Sequence, residues 1–438
     1  MDSLPAPAHG QRSLWLWTCL VTLLGLILLQ PRPAAAGPVD PGLAALVAEA
    51  LAANPELAAA ETRWRASLHR VVPAGTLPDP MLSFALDDYP SSTFSSGETS
   101  MAGQLVRLSQ SLPFPGKLAA KAEAASKETR WYQGLYDDAR LGLARQVKEA
   151  WYDLVLQEQS LLVVDRMVLL ADTVIAQAES QYRVGRAGQA RVVEAQMSRT
   201  ELLEQRIGLV QMRDSALAAL NALRNQPPDT VVATPAALAE PELPGSLGDL
   251  QAAGERRPLL AAYQGAIDSL EAMRRQAELD RLPDFSVGLG YRFRDPSPMD
   301  DGRDTVSAEI GLTVPIFQER RSEAIAEAEA NLTRARQELA DARNRVRLGI
   351  HDAYLQVERS RQLLALYRAG LVIQARHALD AALAELRVGG GDLGMVLAGL
   401  RGLYRLELEV QRLLAEEGKA VARLEAEAGV TPEVGGDL

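Results

Sequence analysis

The sequence predicts a mainly α-helical chain with a membrane β-barrel portion, in which long coiled-coil helices join four strands that need sister chains to close. Three observations carry this prediction. The N-terminus has the form of an export signal. The rest of the chain repeats one unit of about 200 residues. Each copy sets two alternating strands ahead of about 70 residues free of proline.

Residues 14–29 are apolar apart from Thr18, Thr22 and Gly25, with Arg12 ahead and Ala34, Ala35 and Ala36 behind. This order of basic, apolar and small residues predicts a signal peptide over residues 1–36, and the run is too short for a comfortable membrane span. Cys19, the only cysteine, lies inside it and lacks the small-residue context of a lipidated cysteine. The mature chain would then have no disulfide and no thiolate metal site. The net charge is −11, and −12 without those residues. An acidic exported chain excludes nucleic acid as a partner. No later run reaches 18 apolar residues, so any membrane location must use strands.

The duplication shows in paired landmarks. Asn54-Pro55-Glu56-Leu57 returns as Arg257-Pro258-Leu259-Leu260, and Leu77-Pro78-Asp79 as Leu282-Pro283-Asp284. Leu112-Pro113-Phe114 returns as Val314-Pro315-Ile316, and Arg183-Val184-Gly185 as Arg387-Val388-Gly389, always at an offset of 202 to 205. The first repeat is placed at residues 37–245, with a β-hairpin over 80–112 and a helical hairpin over 117–225. The second is placed at 246–438, with a β-hairpin over 284–314 and a helical hairpin over 317–428.

Within each hairpin the period is two. Phe285, Val287, Leu289, Tyr291 and Phe293 alternate with Ser286, Gly288, Gly290 and Arg292, and Val306 to Val314 alternate with Thr305 to Thr313. Strands of about nine or ten residues with one apolar and one polar face fit lipid outside and water inside. The polar face offers Asp87, Arg107, Arg292 and Glu309 as lumen candidates. Prolines then mark the handover to helix.

The proline-free stretches 117–184 and 317–388 predict helices spanning roughly 100 Å. Leu154, Leu161, Val168, Ile175 and Tyr182 stand seven apart, with Val164, Ala171 and Ala178 in the d-type slots, which is coiled-coil spacing. Gly185 and Gly389 end these helices, and returning helices over 190–224 and 393–428 pack back on them. The returning arms are half as long as the outgoing ones, so a short helix must complete each. The helix after Pro258 is assigned to the first copy's arm and the helix after Pro55 to the second's. The segments 38–54 and 227–254, with the acidic tail after Gly429, are expected to form a belt around the rod. Four strands cannot close a bacterial barrel, since eight is the minimum, and open edges in lipid are costly. Two chains would supply eight strands and three would supply twelve.

Leu112-Pro113-Phe114-Pro115-Gly116-Lys117, the duplication and the paired Arg-Val-Gly turns resemble the TolC family of outer-membrane efflux proteins, over about residues 40–428. The Pro-Phe-Pro-Gly-Lys junction resembles its heavy-metal cation efflux branch. The resemblance implies a homotrimer with a twelve-stranded barrel in the outer membrane of a Gram-negative cell and a large periplasmic portion. It also implies a periplasmic adaptor (membrane fusion protein) and an inner-membrane pump of the resistance-nodulation-division type as partners. Carried across, adaptor contact falls on Arg183, Val184, Gly185, Arg387, Val388 and Gly389. Where relatives ring the periplasmic mouth with acidic or amide residues, this chain has Met395 and Ala398, and the first copy has Arg191 and Glu194. Asp392 is the nearest acidic replacement for a gate, and it also suits a helix cap.

No catalytic, cofactor-binding or metal constellation is legible. His69, His351 and His377 stand alone at non-ligand spacing, and Gly389-Gly390-Gly391 lacks the lysine of a phosphate loop. The expectation is a passive exit duct of a tripartite efflux system, with heavy-metal cations the cargo that the resemblance implies. The competing readings are a drug-efflux or type I secretion outlet of the same fold, and a periplasmic coiled-coil adaptor or scaffold without a channel.

Overall fold

The structure, a computed structural model, describes residues 41–388 and 391–430. The expected signal peptide, Gly389 and the acidic tail from residue 431 lie outside the described residues. Helices α1 (Pro41–Ala53) and α2 (Pro55–Gly75) precede strands β1 (Met81–Asp87) and β2 (Gly103–Leu112), and helices α3 (Lys117–Arg183) and α4 (Gln189–Leu223) follow. The order recurs as α5 (Leu247–Gly254), α6 (Pro258–Leu279), β3 (Phe285–Phe293), β4 (Thr305–Leu312), α7 (Gln318–Leu366), a π-helical turn (Tyr367–Leu371), α8 (Val372–Arg387) and α9 (Leu393–Ala428).

The four strands form one antiparallel sheet in the order β1-β2-β3-β4. Pairing of β2 with β3, in the register Leu108 opposite Leu289, joins the hairpins of the two repeats. The outer edges of β1 and β4 are unpaired within the chain. Register puts Leu82, Phe84, Leu108, Leu289 and Ile310 on one face, and Ser83, Arg107, Ser109, Arg292 and Glu309 on the other. The apolar face is bare: Leu289 is 62 % exposed and Ile310 83 % exposed. A soluble sheet would bury such a face, whereas a lipid-facing sheet leaves it outside.

Helix α3 runs 67 residues without a break, roughly 100 Å at about 1.5 Å per residue. It packs against α2, α4, α6 and α9, and α9 in turn packs against α7. Close passage of α3 and α6 needs glycine on both sides. A Cβ on Gly134 would lie 2.7 Å from that of Ala262, and one on Gly265 would lie 3.0 Å from the Trp131 nitrogen. Among the described residues no single helix is long and apolar enough to cross a membrane.

Two expectations about the helices are corrected. Each arm is completed by the short helix of its own repeat. The Asn54 side chain, which caps α2, donates to the Leu223 carbonyl at the end of α4, 2.9 Å away. In the second repeat, the end of α9 meets the start of α6, where Arg257 pairs with Glu427. Chain-end proximity therefore splices α4 to α2 and α9 to α6, and a swap between repeats is not needed. The coiled-coil seam also differs. Val164, Ala171 and Ala178 are fully buried, while Tyr182 of the other row is 49 % exposed. Toward the tip the small residues hold the centre of the seam, where they let neighbouring backbones approach, and Leu161, Val168 and Ile175 lie half-buried at its margin, whereas Leu154 of the same row is fully buried.

The second outgoing helix is not uniform either. The π turn at Tyr367–Leu371 inserts an extra residue next to Gly370. Two of the three segments expected to form the belt lie across the rod, α1 and the strap that carries Ala236 and Leu238. Gln159 on α3 donates to the carbonyl of Ala236 at 3.1 Å, Leu238 is buried, and α1 buries Leu43, Val47 and Ala50 in the same cluster as Trp151. Each fully buried side chain of this size contributes about 1.5–3 kcal/mol.

Candidate functional site

The polar face of the sheet gathers all four lumen candidates. Arg107 on β2 and Glu309 on β4 form an ion pair at 3.1 Å across β3. They meet because β3 offers Gly290 opposite Arg107 and Gly288 opposite Glu309. Arg292 holds Asp87 at 3.1 Å and Asp88 at 3.2 Å, and donates to the Met101 carbonyl at 2.7 Å. Just beyond, Arg294 ties the Ser100 carbonyl to Asp300. These arginines fasten the two inter-strand loops to each other at one end of the sheet.

At the opposite end, the Pro-Phe-Pro-Gly-Lys segment makes a clasp. Gly116 takes φ +99°, and a non-glycine residue there would be strained. The turn aims Lys117 at the second repeat. Its ammonium lies 2.9 Å from Asp284 and donates to the Leu282 carbonyl at 2.9 Å. The Phe114 N–H donates to the same Asp284 carboxylate at 2.8 Å, and the Phe114 and Phe285 rings stack. Both halves of this contact stood in the sequence as repeated motifs, but nothing in either marks the other as its partner.

The two hairpin tips lie side by side. Gln181 donates to the Leu386 carbonyl at 2.6 Å, linking the end of α3 to the end of α8. At the first tip Gly185 has φ +73°, and Arg186 N–H bonds back to the Gln181 carbonyl at 2.8 Å, closing a Schellman turn. Val184 is 66 % and Val388 81 % exposed, flanked by the exposed Arg183 and Arg387. The structure thus brings five of the six tip residues together; the sixth, Gly389, lies outside the described residues.

Of the gate candidates, Arg191 and Glu194 sit on the first turns of α4, with Glu194 exposed. Asp392 accepts from the Gly394 N–H at 3.2 Å as the cap of α9, so its carboxylate has a structural task. No cluster of three His, Cys, Asp or Glu able to hold a metal occurs among the described residues.

Sequence reading missed several buried charges. Glu407, 7 % exposed, receives Arg166 from α3 at 2.9 Å and Arg376 from α8 at 2.7 Å. Lys148 and Glu425 form a buried pair between α3 and α9. Glu417, fully buried, accepts from Arg361 at 2.8 Å, and its second oxygen has no hydrogen-bond partner. Burial pushes its carboxyl up, only partly opposed by Arg361. The available signal was positional, since Glu407 and Glu417 interrupt the apolar stripe that runs through Leu403, Val410, Leu414 and Val421.

About nine tenths of the chain resembles solved membrane-protein structures. It matches a membrane protein from Pseudomonas aeruginosa at 19 % identity, with a TM-score of 0.77 over 90 % of this chain and 94 % of that one. It matches the CmeC outer membrane channel of Campylobacter jejuni at 15 % identity, TM-score 0.76, over 92 % and 90 %. It matches the outer membrane protein VceC of Vibrio cholerae at 19 % identity, TM-score 0.73, over 89 % and 97 %. At such identities the likeness speaks for the fold. No curated protein matches the chain by sequence. The sequence pattern of outer membrane efflux proteins, however, matches residues 46–226 and again residues 250–430. Together with a lipid-faced sheet carried on a long helical rod, this match decides against a channel-less scaffold, and the chain belongs to the outer membrane efflux protein family, whose members are TolC-like channels of the outer membrane.

Proposed function

We propose that three copies of this chain close a twelve-stranded barrel and serve as the passive exit duct of a tripartite efflux system. The observation that carries this reading is the four-stranded sheet with an apolar outer face and two unpaired edges, continuous with a rod of roughly 100 Å. Bare edges in lipid cost several kcal/mol per unpaired group, so sister sheets must cover them. A periplasmic adaptor docks on the tip residues Arg183, Val184, Gly185, Arg387, Val388 and Gly389, where two exposed valines flanked by arginines offer a small sticky surface. The adaptor connects the duct to an inner-membrane pump of the resistance-nodulation-division type. Residues 1–36 act as the export signal. The cargo is heavy-metal cations, with drugs and type I secreted proteins the competing classes.

Detergent extraction of outer-membrane fractions, followed by cross-linking, tests the assembly. A trimer in the outer membrane is expected, and a soluble periplasmic monomer defeats the duct. Cysteines placed at Val184 and Val388 should cross-link to the adaptor. Sensitivity of a deletion strain to metals, detergents and drugs, measured side by side, identifies the cargo.

A further inference from the structure

Helix α9 carries Arg401, Arg405, Arg412, Lys419 and Arg423 at steps of four, seven, seven and four. At about 3.6 residues per turn these form one stripe. The opposite stripe, through Gly418, Val421 and Glu425, lies under the strap residues 235–242. In a tube the strap must run outside, because inside it would fill the bore, so the basic stripe faces the bore. This placement rests on the duct reading above.

Along the strap-level part of the stripe the charges are matched. Lys419 lies 3.0 Å from Asp153 and 2.8 Å from Glu416, and Arg423 lies 2.7 Å from Glu149. Toward the tips the matching fails. Arg412 is held by Glu409 at 2.5 Å, but Arg401 reaches Glu201 only at 4.0 Å, and Arg405, exposed, forms no ion pair with any described residue. A cleft of about 530 Å³ opens at this point between α3, α4 and α9, lined also by Gln157 and Gln205. Three guanidinium groups against Glu409 and the marginal Glu201 leave an excess of positive charge with amide donors beside it. Planar guanidinium forks suit oxyanions, and a concave wall of one sign concentrates them.

We propose that the cleft at Arg401, Arg405 and Arg412 is an anion-binding station on the bore wall, taking solutes that bear a phosphate, sulfonate or carboxylate group.

The test uses the purified full-length channel in planar bilayers with inorganic pyrophosphate as the probe. Pyrophosphate is expected to block the wild-type current. The double variant Arg401→Gln, Arg405→Gln should raise the half-blocking concentration by about tenfold or more, as loss of charge-assisted bonds implies. Arg405→Lys should keep it within about threefold, since the charge remains. A conducting channel that pyrophosphate does not block, or blocks equally in the double variant, overturns the station and leaves the duct intact. A wild-type protein that conducts no current overturns the duct and, with it, the inward placement of the stripe.

Discussion

Arg107 and Glu309 sit on strands that do not touch, yet their charged ends lie 3.1 Å apart over the glycines of the strand between them. Both side chains are well exposed, 41 % and 61 %, so solvent screens the pair and its worth to stability is small. Glu309→Gln should therefore leave assembly unchanged and shift the reversal potential in a salt gradient toward anions. Gly290→Val should act the other way. A Cβ there would lie 2.6 Å from the Ser307 hydroxyl, and the amount of barrel inserted, read from outer-membrane fractions, should fall.

Arginine at Leu289 or Ile310 should cost about 2–4 kcal/mol near the bilayer midplane. Both positions are on the bare apolar face. Reduced trimer in the outer membrane is the expected result, while lysine at Ser109, on the polar face, should be tolerated. Equal insertion of all three variants would show that the apolar face does not meet lipid.

The Lys117 clasp holds the first repeat's strand-to-helix turn onto the second repeat. Lys117 is 7 % exposed on its side chain, so Lys117→Met keeps the volume and leaves the Asp284 carboxylate, itself 37 % exposed, to the Phe114 N–H and solvent. Solvent at the half-exposed carboxylate screens the pair, so a loss of about 1 kcal/mol is expected, visible as a lower melting temperature of the detergent-solubilised channel. Asp284→Asn, which keeps the Phe114 N–H bond, should be the milder change.

Glu417 predicts a pH dependence. Its carboxyl is raised above the ordinary 4.5 chiefly by burial. A raised folded-state value means that the protonated form favours folding. That contribution is complete below the unfolded-state value and disappears as pH rises through the folded one. Glu417→Gln, neutral at every pH, should therefore melt higher than wild type at about pH 8 and converge with it toward about pH 4. Melting curves at both ends of that window check the sign.

Much of this architecture was readable before any coordinates. Period-two alternation at Phe285 to Phe293 separates the bare apolar face from the polar one, as the register of the sheet has it. Arg107, Arg292, Asp87 and Glu309 fell on the polar face by parity alone. The ion pairs among them were not readable, since they depend on register across three strands. The splices at Asn54 and Arg257 were misassigned for a related reason. Helix length says how much rod must be filled, and only the hydrogen bond from Asn54 to Leu223 says which piece fills it. The π turn at Tyr367–Leu371 has no periodic signature strong enough to announce one extra residue.

The two splices lie at one height. Arg257 bonds Asp138 of α3 at 2.7 Å, and Asn54 shares a cleft with the same aspartate. At that level half of the struts are severed and rejoined, while α3 passes through whole. A column built this way has a wrist. Across the joint, load passes from strut to strut through side chains such as Asn54 and Arg257 and not through continuous backbone.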